Sequence, residues 1–142
     1  MENHFVRLEP LSAEHAGDLV EAPRGLEQAW YTSMPMPKDV ANEVARHRAW
    51  LATGEMNPWA IRRLDTGRAV GMTTFCNIDQ DNRHVEIGHT WIGIDAQRTA
   101  VNAASKALLL AHFDECDAIA VEFRTHWHNR LAPPDEQDRI VR

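Results

Sequence analysis

Hydrophobic and polar residues alternate near the start of the chain and then recur with a helical period. Residues 5–9 alternate weakly and end at Pro10, which predicts a first strand at the edge of a sheet. Ser12 is a preferred residue type at a helix N-cap, and residues 13–22 carry apolar side chains at helical spacing. We therefore predict a short helix directly after the first strand.

A second helix is predicted over residues 38–53, after a loop at residues 34–37 that contains two prolines. Gly54 supports this end point, because glycine readily adopts the left-handed conformation that closes many helices. The helical spacing predicts an inward side made of Val40, Val44, His47 and Leu51.

The middle of the chain changes to a strand period. Residues 59–64 and 69–76 flank a polar turn and predict a β-hairpin. Residues 84–92 follow a second polar turn, at 79–82, and predict another strand. Three strands joined by short turns are typical of a β-meander.

The pattern then predicts one long helix and one more strand. Residues 97–115 are rich in alanine and leucine at helical spacing. Residues 118–125 alternate, and the side chains expected to face the core are Ile119, Val121 and Phe123. The last residues contain a double proline and show neither period. We therefore expect one α+β domain over residues 1–130 and an irregular tail over residues 131–142.

Composition and charge narrow the classes of function. The 142 residues carry 15 basic and 21 acidic side chains, a net charge of −6, which disfavours binding to nucleic acid or to an anionic membrane. No apolar run is long enough to span a membrane, and the first residues lack the regions of a signal peptide. Cys76 and Cys116 fit no CxxC pattern, so we expect reduced core thiols rather than a disulfide or a nucleophile. These features predict a soluble cytoplasmic protein.

The segment most indicative of chemistry runs from the strand at 84–92 through a short loop into the long helix. The first turn of a helix has free backbone N–H groups and the positive end of the helix dipole, which together bind phosphate. Small residues such as Thr99 and Ala100 leave the backbone open to a ligand, and Arg98 and Lys106 could add positive charge. This pattern alone allows a phosphate site without requiring one, since most such turns bind nothing.

Within this segment stand Glu86-x-Gly88-His89-Thr90-Trp91 and then Gln97-x-Thr99-Ala100-x-Asn102 with Lys106. It resembles motif A of the GNAT N-acetyltransferase superfamily, specifically the RimJ/RimL type that acetylates protein N-termini and related amines. Weaker similarity runs in order from about residue 5 to residue 130. The resemblance implies a GNAT-like α+β fold, with a mixed, mostly antiparallel sheet flanked by helices. It also implies acetyl transfer from acetyl-CoA to a primary amine.

The resemblance further implies where acetyl-CoA would lie. The pantetheine arm would pair as an extra strand with the backbone of the strand at 84–92, and the pyrophosphate would contact the loop and the first helical turn. Ala100 stands where the family prefers glycine, which narrows the approach to the backbone. The complete set implied to bind the cofactor is Thr90, Trp91, Ile92, Gln97, Arg98, Thr99, Ala100, Val101, Asn102 and Asn129.

Glu86 is the candidate general base. In several branches of the superfamily a carboxylate at this position takes a proton from the acceptor amine, directly or through water. The alternative is a strand carboxylate that pairs with an arginine. His89 is a second candidate base, predicted by strand alternation to point to the opposite face from Glu86, with a core or surface role as its alternative.

Other residues suggest sites less specifically. His126 and His128 could form a metal pair, but no further ligand at a suitable spacing accompanies them, so we expect no metal. Large aromatic side chains could line an acceptor cleft or pack in the core: Trp30, Trp50 and Trp59. Two cations on the second helix could meet an acidic acceptor or form a solvated face: Arg46 and Arg48.

The resemblance ends after Asn129. Family members continue with a helix that carries a hydroxyl as general acid and with a closing hairpin, and residues 131–142 have no counterpart of either. We therefore expect the last strand to have an open edge and the chain to form a homodimer through residues beyond about 118. The alternative to an active enzyme is a catalytically impaired module that binds CoA or a partner.

Overall fold

The computed structural model of the chain describes residues 1–24, 35, 37–116 and 118–124. Its centre is a five-stranded sheet in which the strands lie in the order of the sequence. Neighbouring strands from the first to the fourth are antiparallel, which includes the predicted three-stranded meander, and the fifth runs parallel to the fourth. The strands are β1 (Val6–Pro10), β2 (Met56–Arg63), β3 (Ala69–Asp79), β4 (His84–Ile92) and β5 (Ala120–Phe123).

In the described part of the chain, three α-helices cover the sheet, and each follows a short 3-10 turn. The helices are α1 (Ala16–Glu21), α2 (Val40–Thr53) and α3 (Ala100–Glu115), and the turns are Ala13–His15, Pro37–Asp39 and Ile94–Ala96. The helix predicted to start at residue 97 starts three residues later, because Thr99 has extended backbone and caps it. Gly54 ends α2 in the left-handed conformation, with φ of 78°, as predicted.

The two faces of the sheet bury separate apolar clusters. The face under α3 contains Val6, Leu8, Ile61, Phe75, Val85, Ile87, Ile92, Val101 and Leu109. The face under α1 and α2 contains Leu11, Leu19, Val40, Val44, Met72 and Trp91. A fully buried side chain of this kind contributes about 1.5–3 kcal/mol, so burial against the sheet holds both helical layers in place.

The start of β2 differs from the prediction. The strand begins at Met56, three residues early, and includes Pro58, which cannot donate a ladder hydrogen bond. The Pro58 carbonyl accepts a bond from the Leu11 amide, on the side where β1 has already ended. The nitrogen of Pro58 points to that same side, so the proline costs the sheet no strand pairing there.

Three side chains predicted to be buried are exposed instead. Ile119 is 64% exposed, because β5 begins only at Ala120. Leu51 is 42% exposed, because it lies in the last turn of α2, past the buried His47. Cys116 at the end of α3 is also exposed, whereas Cys76 in β3 is buried, and both are free thiols.

Some predictions concern residues outside the described part of the chain. These are Trp30, His126, His128, Asn129 and the tail at 131–142. None of the helices in the described ranges is long and apolar enough to cross a membrane.

Candidate active site

Within the described residues, one edge of β4 is only half covered. β3 pairs with it from His84 to Ile92, whereas β5 pairs only with His84–Ile87 on the other side. Among the described strands, none covers the second edge of Gly88–Ile92. An uncovered strand edge presents backbone N–H and C=O groups, so an extended, amide-containing molecule can pair with it as an added strand.

A β-bulge interrupts β4 within this half. Gly88 pairs with Thr74 and Trp91 pairs with Met72, so two residues of β4, His89 and Thr90, lie opposite a single residue of β3. His89 has a φ of 46°, in the left-handed region that non-glycine residues rarely adopt. A bulge leaves an extra residue without a ladder partner and shifts the alternation of the side chains that follow.

The shifted alternation corrects one sequence prediction. Glu86 pairs with Cys76 and therefore shares the face of Met72, which packs under α1 and α2. His89 also lies on that face, where its ring contacts His47 of α2 with 5.2 Å between centroids. The prediction that Glu86 and His89 point to opposite faces is wrong, because strict alternation does not continue through the bulge.

Thr90 points to the other face and connects the bulge to α3. Its hydroxyl lies 2.8 Å from the Thr73 hydroxyl and accepts a hydrogen bond of 2.8 Å from Lys106 Nζ. The same ammonium lies 5.3 Å from the ring centroid of Phe123 in β5. Lys106 therefore places a positive charge at the point where β4 and β5 separate.

The N-terminus of α3 lies beside the end of β4. The α3 crossover that connects parallel β4 and β5 brings these two ends together, and Gln97 Nε2 donates a 3.0 Å hydrogen bond to the Ile92 carbonyl. Thr99 Oγ1 accepts from the Val101 amide and donates to the Ala96 carbonyl at 2.6 Å, which fixes the start of the helix. The other amides of the first turn have no acceptor within the helix, and free amides at a helix start are groups that can bind an anion.

The predicted cofactor residues divide into two groups by burial. Trp91, Ile92 and Val101 are buried in the two apolar clusters, so only their backbone atoms could contact a ligand. The side chains at the helix start are exposed or half-exposed: Gln97, Arg98, Thr99, Ala100 and Asn102. Arg98 has a φ of 58°, so the loop before α3 also contains a non-glycine residue in the left-handed region.

Glu86 is buried and has polar partners. Its carboxylate accepts a 2.6 Å hydrogen bond from Asn77 Nδ2 and lies 3.5 Å from Arg124 Nε. Burial, reinforced by the Glu86 charge, raises the pKa of the neighbouring Cys76 thiol to about 12. A Cβ atom added at Gly88 would lie 3.0 Å from Glu86 Oε1 and 2.9 Å from Cys76 Sγ, so the family's glycine leaves room for the carboxylate.

The other residues considered from sequence lie in two regions. Trp50 is half-buried on α2, with Arg46 5.0 Å from its ring centroid, and Arg48 is exposed. Trp59 lies on the α3 side, where its ring meets His112 edge to face with 6.2 Å between centroids. Trp50 and Trp59 therefore do not line a common cleft.

Sequence reasoning missed one group of residues. A carboxylate oxygen of Glu43 and one ring nitrogen each of His47 and His89 all lie within 4.8 Å of one another. The i, i+4 spacing of Glu43 and His47 on a predicted helix was visible in the sequence. The third member was not, because only the bulge brings His89 to the face of α2.

Comparison with known proteins agrees with the fold predicted from the sequence. A family model described as an acetyltransferase (GNAT) domain matches residues 6–132. A GCN5-related N-acetyltransferase from Brucella melitensis is 24% identical, with a TM-score of 0.75, over 91% of this chain and 61% of that one. An acetyl transferase from Salmonella typhimurium, which modifies the N-terminal serine of a 50S ribosomal subunit protein, is 16% identical, with a TM-score of 0.72, over 90% of this chain and 75% of that one.

A third similar structure contains the acetyl donor. It is a microcin self-immunity acetyltransferase in complex with acetyl-CoA and AMP, 14% identical, with a TM-score of 0.73, over 89% of this chain and 73% of that one. No curated protein matches the chain. At these identities, the similar structures show that the chain has the GNAT fold.

Proposed function

Because the chain belongs to the GNAT acetyltransferase family, we propose that it transfers the acetyl group of acetyl-CoA to a primary amine. The observation that carries this proposal is the meeting of two features at one end of the sheet. The uncovered edge of Gly88–Ile92 can pair with an extended molecule, and the first turn of α3 can bind an anion. Acetyl-CoA combines both chemistries, since it has an amide-containing arm and a diphosphate.

In this proposal the protein holds the donor mainly through its backbone. The amides and carbonyls of Thr90–Ile92 pair with the pantetheine arm, and the amides of residues 98–102, apart from the Val101 amide that Thr99 caps, hold the diphosphate. The Thr99 cap and the Gln97 bond to Ile92 keep these two segments in place, so the site is organised before a ligand binds. Because these segments are already ordered, the protein loses little further conformational entropy when it positions the acetyl carbonyl for attack.

Glu86 is the proposed base. An acceptor amine arrives as an ammonium at neutral pH and must lose a proton before its lone pair can attack the thioester carbonyl. The proton passes to the Glu86 carboxylate, directly or through water, while Asn77 and Arg124 keep that carboxylate oriented. The new C–N bond forms as the C–S bond breaks, and the leaving thiolate takes up the proton that the nitrogen loses as it becomes an amide.

The acceptor is proposed as a class rather than as one molecule. The Salmonella protein acts on a protein N-terminus, and we propose a peptide or small-molecule primary amine here. A cytoplasmic location and a homodimer belong to the same proposal. The homodimer is supported by the exposed Ile119 and by β5, which within the described residues pairs with a strand on one side only.

The direct test is release of free CoA thiol from acetyl-CoA in the presence of an amine. The panel should contain a peptide with a free N-terminal serine, the same peptide blocked at its N-terminus, a polyamine and a free amino acid. We expect thiol release above the rate of acetyl-CoA hydrolysis with at least one free amine, and none with the blocked peptide. Binding of CoA without turnover on any amine would instead support the catalytically impaired module.

A further inference from the structure

Two imidazole rings and a carboxylate converge between α2 and the bulge of β4. Glu43 and His47 lie one helical turn apart on the same side of α2. His89 reaches them from the sheet, and its ring meets that of His47 nearly at a right angle, with 5.2 Å between centroids. One potential ligand atom from each of the three side chains lies within 4.8 Å of the other two.

Two nitrogen atoms of this group are buried and have no partner among the described residues. His47 is only 1% exposed, and its Nδ1 approaches the Glu43 carbonyl at 3.0 Å, whereas its Nε2 has no hydrogen bond to any described residue. Nδ1 of His89 is likewise buried and has no hydrogen-bond partner in the described part of the chain. A buried polar atom without a partner costs free energy, and both nitrogens would be satisfied by a shared cation or by water.

We propose that Glu43, His47 and His89 form a binding site for a divalent transition-metal ion of the Zn²⁺ type. Two imidazole nitrogens and one carboxylate oxygen are a donor set that Zn²⁺ accepts, with a fourth position left for water or another ligand. Burial lowers the pKa of His47, which keeps this imidazole neutral, as a metal ligand must be.

The distances allow such a site with small side-chain movements. Ligand atoms about 2.1 Å from a tetrahedral ion lie roughly 3.4 Å from one another, so the largest separation must close by no more than about 1.5 Å. Glu43 also forms an ion pair with Arg46, and one carboxylate oxygen lies 3.3 Å from His47 Nδ1. Metal binding therefore competes with the Arg46 interaction for this carboxylate.

A metal ion here would join α2 to the bulge. His89 is the bulged residue, and the next residue, Thr90, belongs to the uncovered edge of β4 and contacts Lys106. An ion held by His89 would fix the backbone of the bulge against α2. We therefore expect metal binding to stabilise the fold and to be measurable without any substrate.

The experiment titrates Zn²⁺ and Co²⁺ into untagged protein after treatment with a chelator. Calorimetry should give one site per chain, the melting temperature should rise, and Co²⁺ should give the visible absorption of a tetrahedral site. His89→Asn and Glu43→Gln should each weaken binding at least about tenfold. Asparagine is chosen at position 89 because it tolerates a positive φ.

Three controls separate this site from other possible ligands. His84→Asn makes the same substitution at another histidine of β4 and should leave binding unchanged. The double variant His126→Ala, His128→Ala and the variant Cys116→Ser should also retain it. The proposal is overturned if the parent protein binds no metal, if His89→Asn binds as the parent does, or if any control variant abolishes binding.

Discussion

Replacement of Ala100 by glutamate is expected to abolish the stabilisation that CoA gives to the protein, without destabilising the free protein. Ala100 is the exposed first residue of α3, next to the amides proposed to hold the diphosphate. A carboxylate at this end of a helix interacts favourably with the helix dipole, by about 0.3–1 kcal/mol. The free variant should therefore melt at the temperature of the parent protein or slightly above it.

The expected loss follows from charge repulsion. Two unit charges about 4 Å apart near a protein surface repel by roughly 4 kcal/mol before screening by salt. If about 2.8 kcal/mol of this repulsion remains after screening, the affinity for CoA falls about a hundredfold. CoA at a hundred times the parent Kd stabilises the parent by about 2.7 kcal/mol, and the variant by only about 0.4 kcal/mol at the same concentration.

Thermal unfolding with and without CoA measures this difference. At about 3 °C per kcal/mol for a chain of this size, the parent should shift by roughly 8 °C and the variant by about 1 °C. Ala111→Glu is the matched control, because it introduces the same charge on an exposed position of α3 about 16 Å further along the helix. A parent-like shift in Ala100→Glu, or an equal loss in Ala111→Glu, would refute the placement of the diphosphate.

Three further predictions follow from the site and the fold. Glu86→Gln should keep the thermal shift with CoA but lower kcat at least about a hundredfold, most strongly at pH values where the acceptor is protonated; an unchanged pH–rate profile would contradict its role as base. Alkylation of the folded protein at pH 8 should modify exposed Cys116 and spare Cys76, which is buried and which its pKa of about 12 keeps protonated; mass spectrometry showing equal modification would contradict this. Light scattering at tens of micromolar should give the mass of a dimer, and Ile119→Lys should shift it toward the monomer; a monomeric parent would rule out the dimer.

Most elements could be predicted from the sequence because turn-forming or capping residues mark their ends. β4 has the predicted bounds, 84–92, and α2 ends at Thr53 before Gly54, as expected from the glycine. The parallel position of β5 was not deducible from its own pattern, since alternation does not report strand direction. The burial of Ile119 was mispredicted for a related reason. The partner strand decides where β5 begins, and the first pair of the two strands joins Ala120 to His84.

The candidate site was predictable only where it is local. The loop before α3 was recognisable because strand, loop and helix follow one another directly in the sequence, although the helix starts at Ala100, after the Thr99 cap, and not at residue 97. The bulge depends on how β4 pairs with β3, and the approach of Arg124 to Glu86 depends on β5. Such contacts between distant segments leave no period in the sequence, and the Glu43, His47 and His89 group was missed for this reason.

Hydrogen–deuterium exchange with and without acetyl-CoA reports on the very backbone amides that are proposed to hold the donor. Binding of the donor at these amides should slow exchange in two segments, Thr90–Ile92 and residues 98–102, with little change in β1 and β2. A cavity of about 450 Å³ at the other end of the sheet, lined by residues such as Phe75, Arg83 and His112, provides the internal comparison. Slower exchange only at the amides that line this cavity, or no slowing at saturating acetyl-CoA, would contradict the proposed donor site.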